Sequence, residues 1–279
     1  MPACPNRFTL LPAVLLTCTL LAACATSPTG RRQLMLVSED TAIASSAQAY
    51  VQEVGELRKD GKLSHDPALI RRVQGITEKL VAQAVAMRPS SADWQWSVAV
   101  IDDPETVNAW CMAGGRMAIY TGLIQQIDPT DDELAQVMGH EIGHALANHT
   151  AEKMSVAMAT SVGVAAVGIA AENKGAALAG AAAAAALAVT LPNSRTAETE
   201  ADRIGIELAA RAGYDPEAAV TLWRKMNGLP GGSPPQFLST HPNPANREKA
   251  LAALAPQMDP YYRADAPRPS RPVQLVNTR

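Results

Sequence analysis

Hydrophobic and polar positions along this chain repeat with two different periods, and each period predicts a kind of element. Ser38, followed by Glu39 and Asp40, has the makings of a helix start, and the helix is expected to run to Lys59, where Asp60-Gly61 stops it. A second helix should begin near Asp66-Pro67, because Leu69, Ile70, Val73, Ile76, Leu80 and Val81 then fall at helical spacing. The period changes at Trp94 to Val100, which alternates as a strand does. Asn108 to Tyr120, with Gly114-Gly115 in its middle, reads as a β-hairpin. Thr130 and Glu133 stand at capping-box spacing with Asp131 and Asp132 between them, so a helix should open there.

Two stretches break this pattern. The first runs from Phe8 to Leu21, apolar with few interruptions, preceded by the single charge of Arg7 and followed by Leu21-Ala22-Ala23-Cys24. It reads as a secretory signal, since it is too short to span a bilayer comfortably. Its last four residues resemble the bacterial lipoprotein signal, in which cleavage leaves Cys24 to carry lipid. The second is Val156 to Leu191, with 16 Ala in 36 residues and only Glu172 and Lys174 charged. Each apolar half is short for a membrane crossing, and a helical hairpin is the preferred reading, packed on the domain or resting on a membrane. The expected organisation is a signal peptide over 1–23, a tether over 24–37, a domain over 38–256 that carries the Ala-rich insertion, and a Pro- and Arg-rich tail over 257–279, extended or disordered.

Composition narrows the classes further. With 47% hydrophobic and 18% charged residues, the 279-residue chain can bury a substantial core. A net charge of −3 gives no basic face for phosphates, so nucleic acid is not an expected partner. Cys4, Cys18 and Cys24 crowd the start and leave Cys111 alone, which excludes a disulfide framework in the domain.

The most informative residues are His140-Glu141-Ile142-Gly143-His144. Four helical residues turn about 400°, so His140 and His144 stack on one face with Glu141 beside them. Two imidazoles so placed can share a zinc ion, with the glutamate in reach of a water on it. A catalytic zinc needs a third protein ligand. Glu198 and Asp202 share one helical face and could supply a ligand carboxylate and a partner for a ligating imidazole, while Glu200 points roughly the other way. Taken alone, the same segment reads better as a salt-bridged surface helix, since Arg195, Arg203 and Arg211 lie close by. His149, half a turn from His140 on a continuous helix, is expected at the surface, and His65 in solvent.

Taken in order, His140-Glu141-x-x-His144, Glu198-x-x-Ala201-Asp202 and Thr240-His241-Pro242 resemble the gluzincin metallopeptidases that include the HtpX heat-shock protease, the CAAX prenyl protease and the mitochondrial overlapping-activity protease. The likeness extends over about Leu34 to Leu254, takes in Asn108-Ala109-Trp110, Gly114-Gly115 and Ser194-Arg195, and is strongest to the soluble periplasmic lipoprotein and outer-membrane-assembly branch. The resemblance implies an α+β, mainly helical zinc endopeptidase domain with a small antiparallel sheet. It also implies one zinc ion held by His140, His144 and Glu198, Glu141 as catalytic base, and Asp202 as proton donor or partner to a ligand. A second donor to the developing oxyanion could come from His241, Arg195 or Arg247. His241 could alternatively act as a fourth ligand that holds the enzyme latent, or be a loop residue without metal contact. The expected function is proteolysis of misfolded or stalled envelope proteins at the periplasmic face of the outer membrane. The alternative is a lipoprotein chaperone or assembly factor of the same fold.

Overall fold

The computed structural model describes residues 24–170, 195–229, 236–241 and 246–277, with the side chains of 162–170 excepted. A short hairpin opens it, β1 (Cys24–Thr26) antiparallel to β2 (Arg32–Leu34). Then come α1 (Glu39–Lys59), capped by the Ser38 hydroxyl accepting from the Thr41 N–H, and α2 (Pro67–Met87), capped by the Asp66 carboxylate. These starts lie where the polar-to-apolar change predicts them. Next are β3 (Ser97–Ile101), β4 (Ala109–Met112), β5 (Arg116–Tyr120), α3 (Thr121–Ile127), α4 (Asp131–Leu146) and α5 (His149–Ala170). The capping box of Thr130 and Glu133 is formed at the start of α4.

After the gap the chain continues as α6 over 195–212, α7 (Ala218–Asn227), α8 (Gln236–Thr240) and α9 (Arg247–Leu254). It ends with α10 (Asp259–Tyr262) and β6 (Gln274–Leu275). The first half of the Ala-rich stretch continues α5 to Ala170, and the rest of that expected hairpin lies outside the described residues, as does the expected signal over 1–23. Among the described residues no helix is long and apolar enough to cross a membrane.

The sheet has the order β4-β5-β3-β6 and is mixed, which corrects the antiparallel expectation. β4 and β5 form the expected hairpin, with Ala109 opposite Ile119 and Met112 opposite Arg116. β5 then pairs parallel with β3, Ser97 against Arg116 through Ile101 against Tyr120. The chain leaving β3 steps out to the sheet edge as β4 and returns between the two, which forces that parallel pair. Every residue of β3 is buried, because helices cover both faces. Val98, Val100, Met117 and Ile119 face the large core with Val73 and Leu80 of α2 and Leu134, Met138 and Ile142 of α4. Ala99, Ile101 and Ala118 face the other way, onto Tyr50 and Val54 of α1.

Both expected appendages belong to this fold. The segment 24–37, expected as a tether, forms the β1–β2 hairpin and is tied to the domain by Gln33, whose amide donates to the Ala147 carbonyl at 2.7 Å. The expected tail returns as β6, parallel to β3, and Asn277 exchanges hydrogen bonds with the backbone of Val100. Local composition hid both, because their partners are distant in sequence.

The contact that matters most for function is between α4 and α6. A Cβ on Gly143 would stand 2.8 Å from the Ala201 carbonyl oxygen, and one on Gly205 would stand 2.6 Å from the His140 nitrogen. These backbones touch because no side chain separates them. Glu198, Ala201, Asp202 and Gly205 fall at helical spacing, so the face of α6 that meets α4 carries both acids.

Candidate metal centre

α4 presents His140 and His144 one turn apart, and α6 brings Glu198 against them. His140 Nε2 lies 3.1 Å from His144 Nε2 and 3.3 Å from Glu198 Oε2, and His144 Nε2 lies 3.4 Å from Glu198 Oε1. His241 completes the group, its Nδ1 3.2 Å from His140 Nε2 and 3.1 Å from Glu198 Oε2. One atom from each of the four residues lies within 4.8 Å of the others. An ion bonded to four such atoms at about 2.0–2.1 Å in a tetrahedron would set them about 3.3–3.4 Å apart. The observed spacings fit that requirement, and imidazole nitrogen with one carboxylate is a donor set suited to zinc.

His241 is seated by α8. Phe237 is buried, its N–H donates to the Val107 carbonyl at 3.0 Å, and its ring stacks on His241 with centroids 4.6 Å apart. The preceding residues 230–235 and Pro242, part of the motif read from sequence, lie outside the described residues.

Glu141 is buried beside this group, and its Oε1 has no hydrogen-bond partner while lying 3.4 Å from His241 Nε2. Asp202 accepts from His140 Nδ1 at 3.0 Å and from Arg247 Nη2 at 2.5 Å. Arg247 also donates to Glu198 Oε2 at 3.2 Å and lies 3.8 Å over the Trp223 ring. Of the three expected oxyanion donors, Arg247 is therefore committed to the acids behind the imidazoles. Arg195 is exposed and does not join the cluster.

Burial and pairing set the charges of the metal-free site. Burial works against a charged His140, but its bonds to Asp202 and Glu198 prevail and raise its pKa to about 9. Burial holds His144 neutral, its pKa well below the usual value. Burial would raise the pKa of Glu198, yet the imidazoles around it keep it far below the ordinary carboxylate range. The Glu141 carboxyl is raised by burial, against the pull of His241 and His140.

One sequence expectation fails here. His149 is buried rather than on the surface, its Nδ1 2.8 Å from His144 Nδ1 and its Nε2 3.2 Å from Glu200 Oε2. The projection that put it outside assumed one continuous helix. In fact α4 stops at Leu146, Asn148 takes a φ of 56°, and His149 opens a new helix that turns it back toward His144. Glu200 does point away from the metal group, but it is buried and paired with Arg31 of the N-terminal hairpin at 2.6 Å. Arg31 also forks onto Glu152 at 2.7 and 2.6 Å. No periodicity could have shown these pairs, because the carboxylates lie 51 to 169 residues along the chain from their partners.

Residues 67–255 match the family described as Peptidase family M48. The chain is 31% identical over 241 residues to the mitochondrial metalloendopeptidase OMA1 of Bos taurus, covering 82% of this chain and 45% of that protein. It is 31% identical over 231 residues to the OMA1 metalloendopeptidase of Schizosaccharomyces pombe, covering 81% and 65%. Against the beta-barrel assembly-enhancing protease of Escherichia coli it is 31% identical over 216 residues, covering 74% and 43%. The chain thus spans less than two thirds of the length of each of these relatives. With the family match running through His140, Glu141, His144 and Glu198, the chain belongs to peptidase family M48.

Proposed function

We propose that this chain is an endopeptidase for misfolded or stalled proteins of the cell envelope, attached by lipid on Cys24 to the periplasmic face of the outer membrane. The convergence of His140, His144 and Glu198 beside a buried, unpartnered Glu141 oxygen is the observation that carries the catalytic part. Those three residues would hold one zinc ion. When bound, the ion would supply Lewis-acid polarisation of the scissile carbonyl and make the attacking water more acidic. Glu141 takes the proton from that water as the carbon–oxygen bond forms, then delivers it to the leaving amine nitrogen as the carbon–nitrogen bond breaks. Asp202 fixes the His140 ring through Nδ1, and Arg247 fixes Asp202 and Glu198 in turn.

Among the described residues β4 lies at the sheet edge with β5 as its one strand neighbour, and α4, which carries Glu141, packs against it. An extended substrate that adds to that edge would bring its backbone to the base. Support for the location comes from the apolar start ending in Leu21-Ala22-Ala23-Cys24 and from the bacterial relative named for β-barrel assembly. The OMA1 relatives are named as mitochondrial, and the lipoprotein-like start favours the bacterial envelope for this chain.

The test is Glu141→Gln in purified protein. It is expected to keep its zinc and lose cleavage of an unfolded protein substrate, because the amide cannot take the proton; retained cleavage would overturn the assignment. The place of His241, between Glu198 and Glu141, favours a second reading in which proteolysis is held latent and the protein mainly holds its clients. His241→Ala should then raise cleavage, whereas a fall would make His241 a donor to the reacting oxygen.

A further inference from the structure

We propose that His149 is a positioning residue that fixes the tautomer of the ligand His144, and that Glu200, clamped by Arg31, fixes His149 in turn. The inference rests on the reading that His144 holds zinc through Nε2. A ligating imidazole must have that nitrogen free of a proton, so neutral His144 carries its proton on Nδ1. That N–H points at His149 Nδ1, 2.8 Å away, which can accept it only if His149 carries its own proton on Nε2. His149 Nε2 lies 3.2 Å from Glu200 Oε2, an acceptor that can only be donated to. Glu200 is kept a carboxylate in this place by Arg31 Nε at 2.6 Å and by the Thr29 hydroxyl at 2.5 Å. Each proton position in the row is dictated by the next, and the row starts at a charge that cannot reverse.

The arrangement differs from the one behind the other histidine. His140 meets a carboxylate directly, at 3.0 Å, whereas His144 reaches its carboxylate through a second imidazole. The inserted ring explains why a histidine is buried at the start of α5 against the ring of His144, with centroids 4.9 Å apart. A phenylalanine would fill that space as well, so packing alone does not call for nitrogen at the position.

The experiment uses the whole protein loaded with zinc or cobalt(II). Nitrogen-15 NMR of the histidine rings in the zinc-loaded parent should show His149 protonated on Nε2 and bare on Nδ1; the opposite tautomer, or a ring protonated on both nitrogens, overturns the proposal. His149→Phe keeps the ring and removes the acceptor. It should weaken zinc affinity about 10- to 100-fold in chelator competition and shift the cobalt absorption bands. His149→Gln, which can accept at one end and donate at the other, should recover most of the affinity. Phenylalanine and parent binding zinc alike, with the same cobalt spectrum, overturns the proposal and leaves the metal site standing. A parent that takes up no zinc overturns the metal reading itself. Should His149→Phe not fold, the tautomer in the parent decides alone.

Discussion

At the scale of single residues, the cluster holds an arrangement of charges that an incoming ion must disturb. Metal-free His140 stays protonated up to a pH of about 9, His144 is held neutral, and Glu198 is ionised. Zinc uptake near neutral pH should therefore expel about one proton per ion, from His140. Apparent affinity should climb with pH and level off as pH passes about 9. Calorimetric titration in buffers of different ionisation enthalpy reads the proton count, and uptake without release would mean that His140 is already neutral in the metal-free site. The same group gives the metal-free fold a signed pH dependence. Its folded pKa is raised above the unfolded value, so its contribution to stability is complete below about 6.5. It is lost as pH rises through about 9. These properties were half legible in the sequence. The spacing of His140 and His144 on a capped helix announces a metal site, and the Glu198 and Asp202 pair announces itself only beside that site. Arg247 and Glu200 acquire their roles from contacts 49 and 169 residues away along the chain, which no local pattern encodes.

At the scale of elements, the crossing of α4 and α6 decides whether Glu198 meets His140 and His144. Alanine in place of a mid-helix glycine ordinarily gains about 1 kcal/mol. At Gly205 the added methyl would meet the His140 backbone at 2.6 Å, and separating two backbones should cost about 1–3 kcal/mol. Gly205→Ala is therefore expected to lower Tm and loosen zinc, since Glu198 rides on the displaced helix. Gly55→Ala and Gly75→Ala, on α1 and α2 with open space around them, should raise Tm instead. Thermal unfolding of all three checks the contrast, and a more stable Gly205→Ala would mean that the crossing is loose. Helix starts at Ser38, Asp66 and Thr130 were legible because caps are local chemistry. The parallel pairing of β3 with β5 was not, because it depends on the chain passing outside and coming back. A break of two residues between α4 and α5 was enough to carry His149 from the predicted surface to the interior.

At the scale of the whole molecule, the two ends that looked expendable close the fold, β6 on the sheet and the β1–β2 hairpin on the helices that flank the site. Arg31 is the anchor of that hairpin, forked onto Glu152 and bonded to Glu200, both carboxylates nearly out of solvent. Removing it leaves two buried charges uncompensated, and Arg31→Met should cost about 3 kcal/mol in urea unfolding. Arg31→Lys should not restore the loss, because an ammonium cannot match the fork. A cost below that of an ordinary surface pair would make the anchor incidental. The hairpin also defines how force would travel. A pull on the chain at Cys24 meets the rung with Leu34 first, then Ala25 with Gln33, then Thr26 with Arg32. Bonds loaded in that order open one at a time, as a zip does, and each yields at low tension. Tension applied there would be dissipated in three rungs of hairpin before it reached the arginine and, behind it, the cluster of His140, His144 and Glu198.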